Sequence, residues 1–210
     1  PITQPVHAEI ERQLLAHQDG LVARFVGQPW RAAGHPRYRI PVPQENFSRC
    51  WGSGAPAGAR GVVFERSDCT MDSAVFIDER LRTGAISVRH ETYDGSRIGA
   101  LRFQQRYTAS FDNEHMGGPD GHRVAAQCTE RTVAAGGGLP MRAVVCLQAY
   151  KKLPALVDLT VLTTSLDGET TGVQGRLDAL GLSLDSARLL TRHYLEGFGW
   201  TPAAPKTGSR

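Results

Sequence analysis

In Val157-Asp158-Leu159-Thr160-Val161-Leu162-Thr163, the apolar residues 157, 159 and 161 alternate with Asp158 and Thr160. A strand turns successive side chains to opposite faces, so this is the pattern of a strand buried on one side. Reading forward, the turn pair Asp167-Gly168 separates it from a second strand predicted over 173–179. Ser183 then stands where a helix N-cap is needed. Ala187, Leu190, Tyr194 and Phe198 recur at helical spacing beyond it, and Gly197 and Gly199 mark the end. Reading backward, residues 143–147 predict a strand containing Cys146. Gly136-Gly137-Gly138 predicts a turn, and Cys128 is expected in a loop before it.

The same order of signals occurs earlier in the chain. After Cys50, strands are predicted over 61–65, 74–77 and 85–90, the last running to the turn pair Asp94-Gly95. Ser96 is positioned to cap a helix whose buried stripe is Ala100, Phe103, Tyr107 and Phe111. Each half thus runs from cysteine to strand, Asp-Gly and a helix bearing Tyr-x-x-x-Phe, with one extra strand in the second half. This predicts an α+β fold of two related ββα-type halves, forming a largely antiparallel sheet with helices packed on one face.

Organisation follows from the same marks. Residues 1–45 read as a helical lead-in, with Ile10, Leu14 and Leu15 on one side, followed by a strap. Pro29, Pro36, Pro41 and Pro43 keep that strap extended, and Trp30 and Tyr38 are its expected anchors. Residues 46–112 form the first half, 113–124 a glycine-rich connecting loop, 125–200 the second half and 201–210 a polar tail expected to be mobile.

Composition bounds the function. The formal net charge is +3, from 24 basic and 21 acidic residues, and the only lysines are Lys151, Lys152 and Lys206. That surplus is too small to predict a nucleic-acid partner, which needs several phosphate contacts on one face. The locally basic run Arg31, Arg37, Arg39, Arg49 reads as solvated surface, or else as a site for an anionic partner. No run of apolar residues is long enough to predict a membrane span. The chain opens at Pro1 without an initiator methionine or leader, which predicts a processed or excised segment.

Cys50, Cys69, Cys128 and Cys146 fall in two pairs with 18 and 17 intervening residues, and neither pair is a C-x-x-C motif. Disulfides Cys50–Cys69 and Cys128–Cys146 are expected, and with them a periplasmic or secreted location. Four buried thiols in a cytosolic protein are the alternative.

No catalytic constellation is legible and no cofactor motif is present. There is no G-x-S-x-G elbow, and Ser53 between two glycines reads as a loop residue. The glycines at 136–138 are followed by Leu139-Pro140, which excludes a phosphate loop. Two clusters are possible ligand sites. His90, Glu91 and Tyr93 lie at a strand end, although adjacent strand residues face opposite ways, so His90 and Glu91 share a pocket only across a bulge. Tyr150, Lys151 and Lys152 form a basic tip that reads as a solvated hairpin end or a site for an acidic group. Asp112, Glu114, His115, Asp120 and His122 could hold a metal, but their spacing matches neither a zinc helix nor a calcium loop, and an exposed linker is the simpler reading.

A set of segments carries a resemblance: Arg49-Cys50-Trp51-Gly52, Phe76-Ile77 leading to Thr83-Gly84, Ser87-Val88-Arg89-His90-Glu91, Leu139-Pro140-Met141-Arg142-Ala143-Val144-Val145-Cys146 and Gly172-Val173-Gln174-Gly175-Arg176. Together they resemble the region that follows a trypsin-like peptidase domain in exported proteobacterial proteins, over most of residues 45–200. The resemblance implies that the protease triad lies upstream of Pro1 and that this chain is a non-catalytic accessory domain whose partner is a protein or peptide, such as that protease domain. The competing expectation is a stand-alone periplasmic hydrolase or metal-binding protein using residues 112–122 or the His90 cluster.

Overall fold

A computed structural model of the chain describes residues 4–31, 36–44, 49–53, 63–76, 82–112, 119–166 and 169–202. At 49–53, 63–76, 82–84, 104 and 106–112 it describes the backbone alone. In chain order the elements are α1 (Gln4–Val26), β1 (Tyr38–Arg39), β2 (Arg49–Ser53), β3 (Val63–Phe76), β4 (Arg82–Asp94) and α2 (Arg97–Asp112). They continue with β5 (Gln127–Ala135), β6 (Leu139–Ala149), β7 (Val157–Ser165), β8 (Thr171–Leu182), α3 (Leu184–Gly197) and β9 (Gly199–Trp200). Seven strands form one sheet in the order β2-β3-β4-β8-β7-β6-β5, and β1 pairs with β9 beside it. Every neighbouring pair is antiparallel. The fold is α+β, with helices packed against an antiparallel sheet.

The strand order is palindromic about β8. Half a turn about β8 would exchange β4 with β7, β3 with β6 and β2 with β5, and would turn the sheet over. The cysteines fit that relation. Cys50 lies opposite Cys69, in the cross-strand row that continues through Val88 and Leu177. Cys128 lies opposite Cys146, in the neighbouring row through Thr160 and Asp178. Adjacent rows of a sheet face opposite ways.

The helices divide between the two faces instead of sharing one. Gly175 faces Tyr194 and Phe198, around α3, whereas Gly172 faces Phe103 of α2. These glycines are three apart in an unbroken register and therefore lie on opposite faces. On the α3 face, Ile86, Val88, Val161, Val173 and Leu177 join Leu190, Tyr194 and Phe198 of α3 and Leu21, Val22 and Phe25 of α1 in one buried cluster. Each such side chain contributes roughly 1.5–3 kcal/mol on burial. The amphipathic spacing read from the sequence is thus the packed stripe of α3.

Both predicted caps form. Ser183 Oγ accepts the Ser186 amide at 3.1 Å, and Ser96 Oγ accepts the Gly99 amide at 3.1 Å. Asp19 of α1 accepts hydrogen bonds from the hydroxyls of Ser183 and Ser186, tying the lead-in helix to the start of α3. The strap is anchored as expected. Tyr38 is fully buried, stacks on Trp200 and shares a hydrogen bond with Thr171 at 2.7 Å. Trp30 stacks on His193 and donates to the His193 carbonyl oxygen.

The polar strands differ most from expectation. Residues 63–65 and 74–76 are the two ends of the single strand β3, with a register shift between Asp72 and Val75. Its middle, Arg66-Ser67-Asp68, carries no apolar alternation, and pairing with β2 and β4 on either side makes it a strand. Ser53 lies in β2, not in a loop. Cys128 lies in β5, a largely exposed strand at the sheet edge, and not in a loop, so the Cys128–Cys146 disulfide joins two directly paired strands of the β5–β6 hairpin. The predicted turn at Gly136 joins those strands, with Gly137 and Gly138 at φ of 71° and 82°, a region that favours glycine. Asp167-Gly168, residues 113–118 and residues 203–210 of the tail lie outside the described residues.

Candidate functional site

Three of the aromatic and histidine residues singled out in the sequence, His90, Tyr93 and Tyr150, are drawn into the framework. His90 is buried on the α3 face, its ring stacked on Tyr194 and its Nε2 3.2 Å from the Tyr194 hydroxyl. Glu91 pairs in register with Gln174, and Tyr93 with Gly172, on the face that carries α2. No bulge interrupts β4 there, so His90 does not converge with the other two. Tyr93 is a structural residue: its hydroxyl accepts the Ser96 amide at 3.1 Å, and its ring stacks on Phe103.

Tyr150 is also a core group. Its hydroxyl donates to the Asp158 carboxylate at 2.5 Å, and that carboxylate also accepts from the Gly181 amide and the Arg123 guanidinium. Burial and the neighbouring Asp158 charge push the phenol far above its ordinary range, so Tyr150 stays protonated. Lys151 and Lys152 are exposed, and Lys151 Nζ donates to the Asp120 carbonyl oxygen. The basic tip is therefore split between a buried phenol and two surface ammonium groups.

Of the five possible metal ligands, Asp120 and His122 are described fully. Asp120 accepts the amides of His122 and Arg123 at 2.7 and 2.6 Å, and these bonds hold its carboxyl below the usual range. It closes a turn. Asp112 ends α2 as backbone only, and Glu114 and His115 lie outside the described residues. Among the described residues no group of three or more histidine, cysteine, aspartate or glutamate side chains could hold a metal.

Of the basic residues at 31–49, Arg37 and Arg39 pack against the end of α3 and β9, and the Arg49 side chain lies outside the described ones. Arg39 donates to the carbonyl oxygens of Glu196, Gly197 and Phe198, satisfying acceptors at the end of α3. Arg37 lies over the Trp200 ring.

A site that the sequence reading missed lies between α3 and the β5–β6 hairpin. It is a groove of 680 Å³ on the α3 face, floored by Val133, Val145 and Leu147 and walled on one side by Ala187, Thr191 and Leu195. Arg131 from β5 and Arg188 and Arg192 from α3 line it, with Glu196 as the one acidic side chain. All four charged residues are exposed. Arg188 is paired with Asp185 at 3.3 Å, and the Thr191 hydroxyl is bonded back to the Ala187 carbonyl oxygen. The outer edge of β5 ends the sheet. Among the described residues Gly136 is bridged beyond it, exchanging backbone hydrogen bonds with Phe198 and Trp200. The local reason for the site is simple: alternate residues of β5 reach the α3 face, while Arg188 and Arg192 are one helical turn apart on α3. That alternation with an i, i+4 arginine pair is the only trace it leaves in sequence, and its members are scattered between residues 129 and 196.

Cationic guanidinium groups stand beside an apolar floor, and the lining holds no serine, cysteine or histidine. The Cys128–Cys146 disulfide borders the same hairpin, and among the described residues no helix is long and apolar enough to cross a membrane. No family model, curated protein or solved structure matches this chain.

Proposed function

We propose that this chain is a non-catalytic binding module that takes up polypeptide in the groove between α3 and β5, as the accessory domain of an exported trypsin-like serine protease. The observation that carries the reading is the lining of the groove: an apolar floor and arginines beside an open sheet edge, without a nucleophile and base. Burial of His90 in the α3 core supports it further, because the histidine that the sequence offered is occupied in packing. The disulfide supports an oxidising compartment. The protease connection rests on the resemblance of residues 45–200.

Two measurements test the two parts. The purified chain is expected to turn over neither chromogenic esters nor peptides. Hydrolysis that a single serine or histidine replacement abolishes would overturn the non-catalytic reading. The reading frame encoding the chain is expected to carry a trypsin-like peptidase domain ahead of Pro1, and a frame without one removes the accessory role while leaving the groove.

A further inference from the structure

The occupant of the groove can be specified more closely. We infer, resting on the peptide-binding reading above, that it is an extended segment of a partner protein carrying acidic side chains, which adds to the outer edge of β5 as a further strand of the sheet.

Three observations lead there. First, β5 ends the sheet, so its outward backbone groups face a position that no described strand fills, and an extended peptide satisfies them by continuing the ladder. Second, an added strand places every other side chain on the α3 face, about 7 Å apart, over the groove. Apolar side chains there lie beside Val133 of β5, at the near rim of the floor. Third, the charges select the sign. Glu130 is held by Arg142 at 2.5 and 2.8 Å. Its register places it on the opposite face from Arg131, so it does not neutralise the groove. Arg131 and Arg192 are left facing an incoming chain, with Glu196 the single carboxylate against three guanidinium groups. Guanidinium forks recognise carboxylates with two parallel hydrogen bonds, and a basic partner would meet like charge.

The test is fluorescence anisotropy on the full chain with the fluorescein-labelled octapeptide Thr-Val-Thr-Glu-Thr-Val-Thr-Glu, which as a strand presents valine and glutamate alternately on one face. It is expected to bind, and the same peptide with glutamine in place of glutamate should bind at least roughly tenfold more weakly. The double variant Arg131→Glu/Arg192→Glu is expected to lose the same factor for the acidic probe alone. Both positions are exposed, and Arg131→Gln/Arg192→Gln repeats the experiment should the charge reversal fail to fold. N-methylation of alternate backbone amides in the probe is expected to abolish binding. Equal affinity for the glutamine peptide, or full affinity in both double variants, overturns the acidic preference but leaves a peptide site. Equal binding of the N-methylated probe overturns strand addition. Failure of every peptide to bind overturns the groove as a polypeptide site altogether.

Discussion

The two faces of the seven-stranded sheet are covered in opposite ways. On one face, α1, α3, the strap and the inward side chains of β4, β6, β7 and β8 make a single apolar cluster. On the other, among the described side chains, α2 covers Tyr93, Ala100 and Phe103, and a second island holds Val144, Cys146 and Leu162. Polar pairs occupy much of the remainder: the Thr160 hydroxyl and the Arg176 guanidinium both donate to Asp178 at 2.6 Å, and Gln174 donates to the Phe103 carbonyl oxygen at 2.7 Å. The contrast shows where stability resides. Among the described side chains, the α3 face is held by burial, which accumulates over many groups, whereas the α2 face combines two apolar islands with hydrogen bonds, each contributing about 1 kcal/mol.

Matched truncations give the largest effect and the direct test. Leu177→Ala, in the continuous core, is expected to cost about 4 kcal/mol, and Leu162→Ala, in the island on the other face, about 2 kcal/mol, both read from urea unfolding. Equal costs would erase the difference between the faces. Loss of the disulfide comes next. Cys128→Ser/Cys146→Ser opens a loop of 18-residue separation and is expected to cost about 3 kcal/mol by thermal unfolding, with the β5 edge freed before the centre of the sheet. Gly175→Ala sharpens the packing argument in the reverse sense. An added Cβ would overlap the Tyr194 hydroxyl and the Phe198 ring, and a cost of about 2 kcal/mol is expected, with displaced Tyr194 resonances in NMR spectra.

The smallest expected effect is on pH. Burial lowers the His193 pKa below its ordinary value, with Glu196 opposing weakly, so the ring packs between Trp30 and Phe25 in its neutral form. A histidine whose folded pKa is depressed contributes its full stability above the ordinary value of about 6.5 and loses it as pH falls from there towards the folded value. Trp30 emission is expected to shift on acidification through that window, and His193→Gln should abolish the shift. An unchanged titration in that variant would assign the shift to another group.

How much of this was legible in the sequence follows the same division. Strand β7, strand β8 and helix α3 were readable because they build the apolar face, where Val157, Leu159 and Val161 or Leu190 and Tyr194 repeat at the period of their element. Strands β2 and β5 and the middle of β3 were not, because their residues carry few apolar groups and become strands only through the partners beside them. The site behaved likewise. Parity along β4 correctly separated His90 from Glu91, but no local rule joins Arg131 to Arg192, which meet only through the packing of α3 beside the β5–β6 hairpin.

The central position of β8 has a consequence for how the molecule is made. Strands β4 and β7 meet only through it, yet it is synthesised after every other strand of the sheet. A nascent chain stopped at residue 170 holds two separate three-stranded ribbons, each with a long inner edge and no neighbour. The keystone is laid last, so assembly waits on contacts far apart in the chain, and folding is expected to be slow for a domain of this length. Until then the unpaired edges invite association with other chains, and a holdase that covers them during synthesis would protect the molecule at its most vulnerable stage.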